Sequence, residues 1–431
     1  MSHISSSLAD LKSRAQSVLP AGGFGNFDPS IFITGGNGAH VFDSEGNRYV
    51  DYLIGSGPMV LGHGHPEVVE AVKEQVGKGM TFFANNPDGL ALAEEICRAV
   101  PCAEQIRYVS AGGEADMYAM RLARAYRGKS KILKFEGGYH GMCAEAQMSL
   151  APERLVNFPQ AVPDSAGIPA SVEADMLVAP FNDLAFVRSL VAEYEDELAA
   201  IIVEPLQRII PPVPGFLEGL RTICDETGIL LIFDEVVTGF RFAYEGAQAH
   251  YGVTPDLATF GKIIGGGFPL AAIAGPKHIM AHFDKSAVGA EGWLMQLGTL
   301  SGNPVASIAG LKTMEILRRD GAYERLYELG ETVMGMIETH LDAAGVAHQI
   351  VGQPTLFDVL FCDHDVRNYR DVKAADAKSN MVFNKVLRAN GIFKSPGKFY
   401  PSLALTDDDL EVTDKAIHLA AQEVASHQSM G

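Results

Sequence analysis

Gly228-Ile229-Leu230-Leu231-Ile232-Phe233-Asp234-Glu235 is a run of strand length that ends on two acids. Ile229 to Phe233 are uniformly apolar, as in a strand covered on both faces of a parallel sheet. A second run, Pro255-Asp256-Leu257-Ala258-Thr259-Phe260-Gly261, delivers a base instead: Lys262, then Ile263-Ile264-Gly265-Gly266-Gly267. Ligands of such sheets collect beyond the carboxyl ends of the strands. The spacing therefore predicts that Asp234 and Lys262 face one cleft.

Working outward, Ile106-Arg107-Tyr108-Val109, Lys131-Ile132-Leu133-Lys134-Phe135, Leu198-Ala199-Ala200-Ile201-Ile202-Val203 and the stretch from Leu270 to Ala274 repeat the pattern. Helical stretches separate them, and Glu204 follows the third. Alternation of this kind predicts an α/β fold with a mainly parallel sheet covered by helices. Beyond Gly302-Asn303-Pro304 a helix is expected to about Arg319, and another from Ala322 to Ala344. The stretches Leu356 to Cys362, Asn380 to Asn390 and Asp407 to His427 read as a smaller α+β lobe. Near the N-terminus, a helix is expected from Ser7 to Val18, a hairpin from His40 to Tyr52 around a Gly-Asn turn, and a helix from Pro66 to Lys78. The expected division is 1–60 joining the small domain, 61–309 as the large domain and 310–431 as the small one.

The chain has 431 residues, which exceeds one typical domain, and 47% of them are apolar. A formal charge of −19 repels phosphate backbones, which argues against nucleic acid as a partner. No apolar run reaches the length of a membrane span. The five cysteines are odd in number and form no Cys-x-x-Cys pair. With no signal sequence at Met1-Ser2-His3-Ile4-Ser5-Ser6, a cytoplasmic location is expected.

A buried acid and a buried amine beside one cleft are costly unless each has a fixed partner. Pyridoxal phosphate offers both: an aldehyde for Lys262 and a ring nitrogen for Asp234. An ordinary helix cap would equally explain Asp234, and a surface position would explain Lys262, although Phe260 and three glycines surround the lysine. Ser110-Ala111-Gly112-Gly113 leads into a helix, so Gly112 and Gly113 are candidates to cradle a phosphate; a plain strand-to-helix turn is the alternative. Tyr139, after Gly137-Gly138, is placed to stack on a flat ring, with Val236 on its other face. Other motifs are weaker. Gly128-Lys129-Ser130 lacks the first glycine of a P-loop, and Gly55-Ser56-Gly57 lacks the third glycine of a dinucleotide fingerprint. His63 and His65 have no third ligand in reach, so no metal is expected.

The chain resembles the class III aminotransferases of pyridoxal-phosphate fold type I from Asp43 to Leu410. The resemblance rests on Gly46-Asn47-Arg48-Tyr49-Val50-Asp51-Tyr52, Lys134-Phe135-Glu136-Gly137-Gly138-Tyr139-His140-Gly141, Phe233-Asp234-Glu235-Val236-Val237-Thr238-Gly239-Phe240-Arg241, Thr259 to Gly267, and Gly298-Thr299-Leu300-Ser301-Gly302-Asn303-Pro304. Within the family it is most similar to glutamate-1-semialdehyde 2,1-aminomutase and the amine and β-amino-acid transaminases near it. The resemblance implies a homodimer with active sites at the interface, Thr299 reaching the neighbour's phosphate, and Tyr139, His140, Glu204 and Gln207 around the cofactor. It implies transfer of an amino group between an amine or amino acid and a keto acid or aldehyde, with pyridoxamine phosphate as the half-reaction form and pyruvate and alanine as co-substrates. Phe24, Phe27, Ser56, Arg208 and Lys398 are the candidate substrate contacts; Phe24, Phe27, Tyr139 and Trp293 suggest an apolar pocket.

Three departures shift the expectation from mutase to transaminase or alter the cofactor site. Where the family usually has Ser-Gly-Thr, this chain has Ala111-Gly112-Gly113, which predicts weaker cofactor retention. Gly25-Asn26-Phe27-Asp28-Pro29 lacks the arginine with which aminomutases meet the substrate carboxylate. Their active-site glutamate is absent from Lys398-Phe399-Tyr400-Pro401-Ser402.

Overall fold

The computed structural model describes residues 7–430; residues 1–6, where no signal sequence is expected, lie outside the described residues. The strands in chain order are β1 Ile33–Asn37, β2 His40–Asp43, β3 Arg48–Asp51, β4 Gln105–Val109, β5 Lys131–Phe135, β6 Met176–Ala179, β7 Leu198–Val203, β8 Leu230–Asp234, β9 Leu257–Phe260, β10 Ala271–Gly275, β11 Gln349–Gln353, β12 Leu356–Leu360 and β13 Ile392–Phe393.

The central sheet has seven strands in the order β4-β10-β9-β8-β7-β5-β6. From β6 through β9 all neighbours pair parallel. Only β10 runs against both of its neighbours. Every residue of β7, β8, β9 and β10 is buried, which explains the unbroken apolar runs. Helices close both faces. One face packs Phe135, Phe181, Phe216, Phe233 and Phe260 into a single cluster, and the other packs Val109, Ala119, Met120, Ile202 and Ile232.

A third cluster joins distant parts of the chain. Val50 and Tyr52 from the N-terminal hairpin meet Leu329 and Val333 of helix Ala322–Ala343, Phe357 of β12, and Ile417 and Val424 of the last helix, Asp407–Met430. Three strands of this region escaped the sequence reading, among them β11, whose Gly352 and flanking glutamines break the apolar run. β1 is Ile-Thr-Gly-Gly-Asn with all five residues exposed, so it carries no apolar alternation, and β13 is two residues long. In the central sheet, β6 was also missed, being a four-residue run directly after a short helix, Ala170–Ala174. Among the described residues no helix is long and apolar enough to cross a membrane.

Candidate active site

Parallel register sets the first distance in the cleft. Strands β8 and β9 are neighbours, and Asp234 pairs with Thr259, three residues before Lys262. An acid and an amine thus leave adjacent strand ends because of where their apolar runs stop.

The acid does not stand alone. His140 Nδ1 donates to Asp234 Oδ2 at 2.8 Å, and the Val236 amide donates to Oδ1 at 3.0 Å, so the carboxylate plane is fixed. Asp116, from helix Gly112–Arg127, reaches the same place: one ligand-type atom from each of Asp116, His140 and Asp234 lies within 4.8 Å of the others. Thr259 Oγ1 donates to Asp116 at 2.6 Å. Burial first, and then the neighbouring Asp234, push the Asp116 carboxyl well above the ordinary range, which favours its neutral acid. The trio has the spacing of a cation site, but Asp116 already accepts from Thr259, and Asp234 from His140 and Val236.

Sequence reasoning missed Asp116. A signal was present: it shares a helix face with Ala119, Met120 and Ala123, all buried, and an acid on such a face needs a reason.

The helix that carries Asp116 begins at Gly112 with no side-chain cap, leaving its first amides open to an anion. Both glycines are demanded by crowding. A Cβ on Gly112 would come within 2.6 Å of Val236 Cγ1, and one on Gly113 within 2.7 Å of Gly141 Cα. The missing threonine of the family pattern is therefore excluded by the closeness of the 137–141 loop. That loop carries Tyr139, whose amide donates to Glu204 Oε2 at 2.9 Å. Gln207 Nε2 donates to the Glu136 carbonyl at 2.8 Å, while Gln207 Oε1 and His140 Nε2 are buried with no hydrogen-bond partner. Two orphaned buried polar atoms beside an open helix end fit a polar, phosphorylated ring.

Lys262 follows Gly261 into a short turn and adopts φ +49°, a left-handed conformation rare for a lysine. Burial lowers its pKa, since the ammonium loses water. Its stem runs beside Gly57: a Cβ there would lie 3.4 Å from Lys262 Cδ and 3.3 Å from Tyr400 Cε1. Ile54, Gly55, Ser56 and Gly57 all have positive φ, a tight loop that leaves the Ser56 side chain exposed. Arg241, wholly buried, holds this loop by donating to the Gly57 carbonyl and, at 3.2 Å, to that of Thr355.

The other expected substrate contacts are dispersed. Lys398 Nζ lies 5.8 Å from the Tyr400 ring centre, and the Arg208 guanidinium stacks over Tyr139 at 5.2 Å. Phe27 packs against Phe393 at 5.2 Å, with Arg388 over its ring, and Arg388 also pairs with Asp28. Phe24 is 85% exposed, and Trp293 sits under Lys285. Within one chain these aromatics do not converge with Tyr139 into an apolar pocket. Thr299 is exposed, its carbonyl accepting from Thr81 Oγ1 at 3.2 Å.

Comparison with known proteins adds an independent line. The aminotransferase class-III family profile matches residues 25–420. An omega-transaminase from Sphaerobacter thermophilus is 34% identical, with 97% of this chain and 98% of that one covered and a TM-score of 0.91. A beta-phenylalanine aminotransferase from Variovorax paradoxus is 30% identical, with 98% of each chain covered and a TM-score of 0.84. A glutamate-1-semialdehyde aminomutase from Pseudomonas aeruginosa PAO1 is 23% identical, covering 96% and 94% at a TM-score of 0.86, a likeness that concerns the fold alone.

Proposed function

Since the chain belongs to the class III aminotransferases, which use pyridoxal phosphate, we propose that it moves an amino group between an amine or amino acid and a keto acid or aldehyde. Pyruvate and alanine are the proposed co-substrate pair. The observation that carries this reading is the partly buried Lys262 beside the fixed Asp234–His140 pair at adjacent strand ends.

When bound, pyridoxal phosphate supplies an electron-accepting ring that stabilises negative charge at the carbon bearing the amino group. Asp234 would keep a proton on the ring nitrogen, and His140 and the Val236 amide hold that carboxylate in place. Lys262 would hold the group through its aldehyde and, as a free amine, would serve as the base that accepts the substrate's proton. Its lowered pKa enlarges the neutral, proton-accepting fraction near neutral pH. Gly112 and Gly113 would offer amides to the phosphate, and Tyr139 and Val236 would cover the faces of the ring. Gln207 would meet the ring's phenolic oxygen, and Glu204 supports the Tyr139 loop by accepting from the Tyr139 amide. Without hydroxyl donors at 111–113, cofactor retention is weaker than in relatives.

We also propose two lobes, 61–309 against 1–60 with 310–431, and a homodimer in which Thr299 reaches the partner's phosphate. Support for pairing comes from Phe82, Phe83, Leu297 and Leu300, exposed apolar residues on the two segments joined by the Thr81–Thr299 bond. Free cysteines are compatible with a cytoplasmic site of action.

A single-turnover reaction of the loaded protein with alanine tests the function. The expected result is conversion of the cofactor's absorbance to that of its pyridoxamine form, with pyruvate released. No conversion with any amine or amino acid would contradict it. The rival reading is the aminomutase's intramolecular shift, and product from glutamate semialdehyde with no keto acid added would favour that instead.

A further inference from the structure

The loop that carries Tyr139 and His140 is poor in local restraint. Gly137 and Gly138 precede Tyr139, Gly141 follows His140, and both Gly137 and Gly141 have positive φ. Glycines leave such a backbone many conformations, so contacts from outside must select one.

Those contacts come from two directions. From the 61–309 lobe, the Ser149 carbonyl accepts from the Gly137 amide at 2.9 Å, Glu204 accepts from the Tyr139 amide at 2.9 Å, and Gln207 donates to the Glu136 carbonyl at 2.8 Å. From the C-terminal lobe comes the short helix Tyr369–Ala374. Arg370 Nε donates to Glu136 Oε2 at 2.8 Å, and its Nη2 donates to Oε1 at 3.0 Å, a bidentate pair between residues 234 positions apart. Nη2 also donates to the Val156 carbonyl at 2.8 Å, and the guanidinium lies 4.3 Å over the Phe158 ring. Beside it, Tyr369 presses on the loop: a Cβ on Gly137 would come within 2.7 Å of Tyr369 Cβ. The Tyr369 hydroxyl donates to the Pro152 carbonyl at 3.3 Å.

This differs from a surface ion pair. The Glu136 carboxylate is buried, and among the described residues Arg370 is its one hydrogen-bond partner. Loss of the arginine would strand that charge away from water. The planar fork of a guanidinium fits both carboxylate oxygens at once, which fixes direction as well as distance. The helix is itself held in place, since Asn368 caps it and Asn182 donates to the Arg367 carbonyl at 2.9 Å.

Resting on the assignment of Tyr139 to the cofactor ring, we propose that Arg370 is a positioning residue: by gripping Glu136 it fixes the turn at Gly137-Gly138 and so sets where the Tyr139 ring lies. The C-terminal lobe thereby helps to hold the cofactor without touching it.

In the loaded protein, Arg370→Gln should weaken the visible circular dichroism of the cofactor and speed its release on dilution about tenfold, the scale of a lost charge-assisted contact. Arg370→Lys should recover only part of this, because an ammonium cannot fork across two oxygens. Glu136→Gln breaks the same pair without stranding a charge and should change dichroism and release in the same direction. In the cofactor-free protein, the Gly137 and Tyr139 amides should exchange with deuterium about tenfold faster in Arg370→Gln. Arg188→Gln, which breaks an exposed pair with Glu226, should leave both amides as they are. Since Arg370 acts through the ring, adding Arg370→Gln to Tyr139→Leu should alter release by less than about twofold. Equal effects on release in the two backgrounds would overturn the assignment. So would a lower melting temperature in Arg370→Gln with dichroism, release and exchange all as in wild type. Conversion of no amino donor, with these changes still present, would instead count against transamination and leave the positioning role standing.

Discussion

The two ends of the cleft are built in opposite ways. At the acid end, Asp234 and Thr259 come from neighbouring strands, Asp116 from a helix and His140 from the loop after β5, and each is hydrogen-bonded to another. At the basic end, Gly57, Arg241, Lys262, Thr355, Lys398 and Tyr400 come from loops scattered over most of the chain, and their charges have no acid. The acid end is braced before anything binds, with His140 Nε2 still lacking a partner. The basic end holds no ion pair among the described residues, and its lysine and phenol face each other instead. A fixed acid suits a cofactor that stays.

The harshest way to break this comparison is to remove the anchor between the ends. Lys262→Ala should reduce turnover at least about 10³-fold, measured as steady-state transamination, because both attachment and proton transfer are lost. Next is the acid end itself. Asp234→Ala should cost about 10²- to 10³-fold in kcat and also release cofactor faster on dilution, whereas Lys398→Gln should spare retention. If the two variants released cofactor alike, the division of labour would be wrong.

A smaller effect separates crowding from chemistry at the phosphate end. Gly113→Ala places a methyl group against Gly141, so the 137–141 loop must shift; cofactor affinity should weaken by about tenfold on equilibrium dialysis. Gly113→Thr should do no better, although it restores the hydroxyl of the family pattern. A tighter-binding threonine variant would contradict the steric account.

The smallest effect concerns Asp116. Its folded pKa is raised, so above the ordinary carboxyl value of 3.8 the unfolded chain releases a proton that the folded chain keeps. Stability contributed by that proton is full below the unfolded pKa and declines as pH rises toward the folded one. Asp116→Asn, neutral at every pH, should flatten this decline in thermal unfolding of the cofactor-free protein. It should raise the melting temperature near pH 8 by about 1–3 °C relative to wild type, with little change near pH 4. An unchanged slope would show that Asp116 is not held neutral.

The contrast between the two ends also explains what the sequence made legible. Strands β7, β8 and β9 announce themselves because burial on both faces forbids polar residues, and so Glu204, Asp234 and Lys262 stand out where each run stops. The hairpin Asp43 to Arg48 and the helix from Pro66 were readable from turn chemistry and a proline at the helix start. Asp116 was hidden by its local role as one more residue of a regular helix. Tyr400, Arg241 and Gly57 were quoted within motifs, but nothing local says that residues nearly 350 positions apart share a wall. That proximity exists only after the third core cluster has folded the C-terminal lobe onto the N-terminal hairpin. Within one chain Phe24, Phe27 and Trp293 stand apart: Phe27 packs on Phe393, Trp293 sits under Lys285 and Phe24 is exposed.

The central claim is that one amine in this chain is covalently fixed to the cofactor. Borohydride reduction of the loaded protein, followed by peptide mapping, measures it directly. The account predicts a single modified side chain, Lys262, at a stoichiometry matching bound pyridoxal phosphate. A fully loaded protein whose peptide around position 262 stays unmodified, or whose label sits on Lys398 or Lys134, would contradict it.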